Sequence, residues 1–175
     1  MRIEADVHIP FPLELVYATQ RDRLIELVPH LPNIKSITVT KRVERGEDVD
    51  FVNEWVGGAD IPSVIRSVIK ESMLRWTDYA TWEKKSYAVI WRTDVHAFPG
   101  AVRSEGRNTF SADGDGTKFS LRGELVVDAS KVRGVPRFLE KTASETAEKT
   151  IVGSIKDNVI ATARGVEKLL RATAG

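Results

Sequence analysis

The longest amphipathic pattern of the chain lies near its C-terminus, between Pro136 and Arg171. No further proline occurs in this stretch, and its apolar residues recur at helical spacing. On a helix, one arc carries Ile151, Ile155, Val159, Val166, Leu169 and Leu170. A helix of this length spans about 50 Å, which is too long for the core of a small helical bundle. The pattern therefore predicts a single helix packed along a large apolar surface.

Most of the remaining chain has the pattern of β-strands. Residues 3–9 alternate between apolar and charged positions, as a half-buried strand does. Similar runs cover residues 34–43, 49–56, 74–82, 87–96, 100–110 and 118–128. Short polar or glycine-containing turns separate several of these runs, which favours antiparallel hairpins. Residues 63–69 fit a helical turn or an irregular strand equally well.

Two short helices are expected between the first and second strands. Pro12 suits the first turn of a helix, and a second helix from about residue 21 to 28 ends at Pro29. The element order predicts an α+β fold for one domain over residues 1–175. We expect a curved antiparallel sheet of about seven strands wrapped around the long C-terminal helix.

Composition narrows the classes of function. The formal net charge is +1 and charges of both signs alternate, which gives no case for nucleic acid or an acidic membrane surface as a partner. Cysteine is absent, so disulfides and thiolate metal sites are ruled out. No apolar run approaches the ~18 residues that span a bilayer. We expect a cytoplasmic protein without integral membrane insertion.

No motif for a metal or a cofactor is found, and none is expected to bind. The three histidines share no metal-binding spacing. Residues 113–116 (Asp-Gly-Asp-Gly) lack the spaced ligands of a calcium loop and fit a hairpin turn.

In its order of elements the chain resembles the helix-grip (SRPBCC) superfamily of START domains, birch-pollen-allergen-like proteins and polyketide cyclases. The resemblance covers nearly the whole chain. It is supported by the proline-led helix after the first strand, the strand from Gly100 to Phe110, and the turn Asp115-Gly116-Thr117 before the last strand. It implies a cavity between the sheet and the long helix that holds an apolar or amphipathic small molecule.

Candidate ligand-binding residues are those that would face this cavity. On the long helix they are Ser144, Glu148, Ile151, Ile155, Asn158 and Thr162. The polar members would orient a ligand. Alternatively, Ser144 and Thr162 bond helix carbonyls and Glu148 lies at the wet edge of the cavity.

Trp76 and Asp78 share one face of the strand at 74–82 and complete the candidate site. If this face points inward, Trp76 walls the cavity or fills the core, and Asp78 is a buried carboxyl with a raised pKa. The opposite register would leave Asp78 in water.

The function expected from the resemblance is binding or carrying of a lipid, polyketide or isoprenoid. Entry would require movement of segment 57–70 or of the N-terminal part of the long helix. A second hypothesis is a cyclase or dehydratase enzyme, in which Asp78, Tyr79, Glu148 or His96 moves protons. A third is a protein-interaction module that uses an exposed strand edge or Ile160. Ligand identity, catalysis and oligomeric state stay open.

Overall fold

The computed structural model describes residues 1–58, 61, 63, 66 and 69–173. Most of the ambiguous segment 63–69 therefore lies outside the described residues. The strands are β1 (Arg2–Ile9), β2 (Ile34–Arg45), β3 (Asp48–Gly57), β4 (Arg75–Glu83), β5 (Ala88–Val95), β6 (Val102–Asp113) and β7 (Gly116–Val127). The helices are α1 (Leu13–Asp22), α2 (Leu24–Leu27) and α3 (Glu140–Thr173). Single 3₁₀ turns occur at Val28–His30, Glu71–Met73, Ala129–Lys131 and Arg137–Leu139.

The seven strands form one antiparallel sheet in the order β1-β7-β6-β5-β4-β3-β2. Strands β2 to β7 follow one another as neighbours, and β1 pairs with the last strand, β7. The crossing from β1 to β2 is made by the two short helices. The predicted helix-grip fold is thereby confirmed, with the sheet wrapped along α3.

Helix α3 begins at Glu140, four residues after the predicted start at Pro136. Pro136 is extended and is followed by a 3₁₀ turn, so the α-helical hydrogen bonding begins later. We call the face of the sheet toward α3 the inner face. The centre of the core lies between this face and α3, where Ile3, Leu125 and Val166 are fully buried.

The ring of Trp91 on β5 lies over two glycines on the next two strands of the sheet, β6 and β7. Gly106 of β6 and Gly123 of β7 are directly opposite each other. A Cβ atom on Gly106 would lie 2.6 Å from the Trp91 ring and 2.4 Å from the Arg122 carbonyl oxygen. Glycine is required there because the indole occupies the space that a side chain would fill. The Trp91 ring thus forms part of the inner wall of the sheet.

Candidate functional site

A cavity of about 350 Å³ lies between the inner face of the sheet and the N-terminal half of α3. Its walls are mostly aliphatic and aromatic. On the sheet side it is lined by Trp76, Trp91, Thr93, Val95, Val102, Ser104, Leu125 and Val127. On the helix side it is lined by Ala143, Ala147, Thr150, Ile151, Ser154, Ile155 and Asn158. The small side chains of Ala143, Ala147 and Ser154 on α3 leave this space unfilled.

The cavity reaches the end of the sheet where β4 and β6 begin and β5 and β7 end. There its lining comes from segments between the strands and before α3, with the half-buried Met73, Leu74, Phe98, Val132 and Val135. We define the mouth as this end of the cavity. It lies between the segment before β4, the β5–β6 loop and the segment before α3.

A larger depression of about 850 Å³ lies on the outer face of the sheet. Charged side chains contribute to it, including Lys41, Asp50 and Arg92. It is a solvent-facing hollow over the strands. An apolar ligand gains free energy by leaving water, so the enclosed inner cavity is the better candidate despite its smaller volume.

The candidate residues of α3 occupy two different environments. Ile151, Ile155 and Asn158 line the cavity, and Asn158 Oδ1 accepts a hydrogen bond of 3.4 Å from the Asn33 backbone N–H. Thr162 lies one turn further along α3, is half-buried and is not part of the cavity wall. The structure adds Thr150 and Ser154 to the lining, which the sequence did not single out.

Ser144 and Glu148 attach α3 to the chain that leaves β7. Ser144 Oγ accepts a 3.0 Å hydrogen bond from the Ala129 backbone N–H. Glu148 Oε1 accepts one of 3.1 Å from the Val127 N–H and lies 4.0 Å from the N-terminal amine. Both side chains thus satisfy backbone groups of the sheet end, and neither lines the cavity.

Four polar side chains form a continuous row across the inner face. Asn53, Asp78, Thr93 and Ser104 occupy directly paired positions on β3, β4, β5 and β6. Asn53 Nδ2 donates to Asp78 Oδ2 at 3.0 Å, and the Thr93 and Ser104 hydroxyls are 3.0 Å apart. Thr93 and Ser104 line the cavity, while Asp78 lies one strand away from Thr93. We call these four residues the polar row.

Burial raises the pKa of the Asp78 carboxyl to about 6. The hydrogen bond from Asn53 opposes this rise in pKa without cancelling it, and the indole N–H of the nearby Trp55 acts in the same direction. The Trp55 N–H makes no regular hydrogen bond with the described residues, so its effect on the Asp78 pKa is that of a nearby dipole. Trp55 and Trp76 stack beside the row with ring centroids 5.9 Å apart. Trp76 thus lines the cavity and also stacks on Trp55.

The other residues considered for proton transfer do not converge on Asp78. Tyr79 follows Asp78 on the strand and therefore points to the outer face, where the Arg92 guanidinium lies 4.0 Å from its ring centroid. His96 Nε2 is 2.7 Å from Thr77 Oγ1 and 3.3 Å from a Glu54 oxygen, also on the outer side. Asp78 is the one member of that candidate set on the inner face next to the cavity.

Comparisons with known proteins were made by sequence and by structure. No family model matches the sequence, and no curated protein matches it. Solved structures do match over almost the whole chain. A Thermus thermophilus protein has 20% identity and a TM-score of 0.68, covering 95% of this chain and 97% of its own. The Zhui aromatase/cyclase from a Streptomyces species has 16% identity and a TM-score of 0.71, covering 100% and 98%.

A STAR-related lipid transfer protein from Xanthomonas axonopodis is also similar. It has 16% identity and a TM-score of 0.56, with 92% of this chain and 82% of that chain covered. These likenesses establish the fold: the chain has the same helix-grip architecture as these proteins. Among the described residues, no helix is long and apolar enough to cross a membrane.

Proposed function

We propose that this protein binds or carries a hydrophobic or amphipathic small molecule in the cavity between the sheet and α3. The observation that carries the proposal is the cavity itself, about 350 Å³ in volume and lined mainly by apolar side chains. Removing apolar surface from water contributes about 25 cal/mol per Å², so a ligand that fills the cavity gains most of its affinity from burial. The solved structures of similar fold include a lipid transfer protein and an aromatase/cyclase, which fits a lipid- or polyketide-like ligand.

The Thr93–Ser104 pair supplies a polar contact for such a ligand. Each hydroxyl has one proton, and the hydrogen bond between them uses only one of the two. The second proton and the free lone pairs can serve a ligand hydroxyl or carbonyl that reaches this wall. Asp78 lies beside Thr93 on the neighbouring strand β4, so an anionic group at this wall would be repelled whenever the carboxyl is ionised.

Binding can be tested with the neutral fluorescent probe phenylnaphthylamine and a variant that fills the cavity. Ala147 lines the cavity, so Ala147→Phe places a ring in the ligand space. Ala172 is exposed near the end of the same helix, and Ala172→Phe is the matched control. We expect the wild type and the control to bind the probe, and Ala147→Phe to bind at least about tenfold more weakly.

Native mass spectrometry of gently purified protein gives an independent readout. A copurified apolar molecule that is present in the wild type and lost in Ala147→Phe supports the proposal. The proposal would be wrong if the wild type does not bind the probe and its native mass spectrum shows only the protein without a bound molecule.

A cyclase- or dehydratase-like enzyme is the second candidate. The specific observation in its favour is the Asp78 carboxyl, whose pKa of about 6 allows it to hold or release a proton near neutral pH. Tyr79 and His96 point to the other face of the sheet, so Asp78 would have to act with the hydroxyls of the polar row. Turnover of a cyclisable substrate that is abolished in Asp78→Asn, with binding retained, would favour the enzyme.

A further inference from the structure

The largest exposed apolar side chain near the cavity is Phe138, which is 83% exposed. It lies in the 3₁₀ turn before α3, between Val135 and Ala143, and both of these neighbours line the cavity. Because so little of the ring is buried, it contributes little to the core. An exposed phenylalanine at such a place is suited to insertion into an apolar layer.

Cations collect around the same mouth. The segment from Lys131 to Lys141 has four basic residues and one acid, Glu140. Lys131 is paired with Asp128 at 3.4 Å, but the ion pairs among the described residues do not include Arg133, Arg137 or Lys141.

Across the mouth, residues 69–75 carry two further exposed cations, Lys70 and Arg75, and Arg75 is the one charged residue among the described lining residues. The acid of this segment, Glu71, is paired with Lys35. Lys70, Arg75, Arg133, Arg137 and Lys141 are called the basic rim below. The chain as a whole has a net charge of only +1, so the rim is a local concentration of positive charge and not the effect of a basic protein. Its complement is an anionic surface.

We infer that the basic rim and Phe138 dock the mouth of the cavity onto an anionic lipid bilayer. The guanidinium and ammonium groups contact lipid phosphates while the Phe138 ring enters the boundary between headgroups and acyl chains. In this orientation Phe98, Val132 and Val135 face the bilayer, and a ligand passes between the cavity and the lipid without crossing water. The use of docking for ligand exchange rests on the function proposed above, whereas the docking itself does not.

The test is cosedimentation of the full chain with vesicles. One set is phosphatidylcholine alone, and the other contains phosphatidylglycerol as well. We expect binding to the anionic vesicles only, and release as ionic strength rises, because salt screens the contacts of exposed charges. Phe138→Ser should weaken binding at least about tenfold. Arg137→Gln should weaken it about fivefold, as expected for one cation near an anionic surface.

Matched controls are available on the exposed side of α3. Ile160 is 44% exposed and Arg164 is exposed one turn later, more than 20 residues from Phe138. Ile160→Ser and Arg164→Gln remove the same kinds of group far from the mouth, and we expect both to sediment like the wild type.

Three results would overturn the inference: no sedimentation with either vesicle, equal sedimentation with both, or Phe138→Ser behaving as its control does. The phenylnaphthylamine titration tests ligand binding in the cavity separately from docking to the vesicles. Phe138→Ser should bind the probe as the wild type does, since Phe138 is not part of the cavity wall. If the wild type binds anionic vesicles but does not bind the probe, the docking proposal holds and the proposed ligand exchange through the mouth does not.

Discussion

Asn53 donates its side-chain amide to the Asp78 carboxyl at 3.0 Å across the β3–β4 pair, on the inner face of the sheet. Asn53 is only 2% exposed, and its own carbonyl oxygen has no hydrogen-bond partner among the described residues. A buried acceptor without a donor costs about 1–3 kcal/mol. Protonation of Asp78 would provide a donor in the same pair, which gives a physical reason for the carboxyl to favour its neutral form.

The raised Asp78 pKa predicts a pH-dependent stability. Its folded pKa of about 6 lies above the unfolded reference of 3.8, so between these values the folded chain binds the proton more tightly. The free energy of unfolding should therefore fall as pH rises through this window, by about 3 kcal/mol from this group. Asp78→Asn removes the titration, and its stability relative to the wild type should increase from pH 4 to pH 7.

Urea unfolding at several pH values measures this effect. The control is Asp94→Asn on β5, an exposed carboxylate that pairs with Arg92 at 3.0 Å. Because a surface ion pair contributes little, its difference from the wild type should change by well under about 1 kcal/mol over the same range. A stability difference for Asp78→Asn that is flat with pH would show that the carboxyl is not held neutral.

Removing the Glu148 carboxylate should cost stability without removing ligand binding. Glu148→Ala leaves the Val127 N–H without its acceptor at the end of β7, and we expect a loss of about 1–3 kcal/mol in the free energy of unfolding. Glu145→Ala, an exposed change nearly one turn earlier on α3, should have an effect within about 0.5 kcal/mol. Abolished probe binding in a folded Glu148→Ala protein would contradict a purely structural role.

The Thr93 hydroxyl should distinguish an oxygenated ligand from its hydrocarbon. Thr93→Val keeps the shape of the wall and removes a hydrogen-bonding group, so we expect naphthol to bind about fivefold more weakly and naphthalene to bind about equally well. Isothermal titration with the two compounds measures this. Thr81→Val on the outer face of β4, where Thr81 bonds Asp50 at 2.8 Å, is the control and should change neither affinity. Equal losses for both compounds would indicate a change of cavity shape instead.

Two glycines should respond to alanine in opposite directions. Gly106→Ala introduces a Cβ atom 2.4 Å from a backbone oxygen, which cannot move away cheaply, and should cost more than about 2 kcal/mol. Gly153→Ala has nothing within 4 Å and lies inside α3, so it should stabilise the protein by about 0.5–1 kcal/mol. Thermal unfolding of the two variants checks both signs, and a Gly106→Ala protein as stable as the wild type would mean that the β7 backbone and the Trp91 ring can both shift at little cost.

The amphipathic period of residues 136–171 and the alternation along seven short runs determined the fold class. These signals are local: a side-chain period fixes which residues share a face, and turn residues fix where a strand ends. The same alternation placed Trp76 and Asp78 on one face of β4. It could not decide that this face points inward, because that depends on which side of the sheet α3 covers.

Only the tertiary structure decided which residues form the site. Asn53, Thr93 and Ser104 come from three strands, and only the pairing register brings them into line with Asp78. On α3 the apolar arc is broad, and its rotation about the axis sends Ala147 to the cavity and Glu148 to the Val127 N–H. The basic rim is likewise assembled from separate segments that the even charge of the sequence conceals. Sequence spacing therefore defines the elements, while long-range packing sets the distances between their side chains.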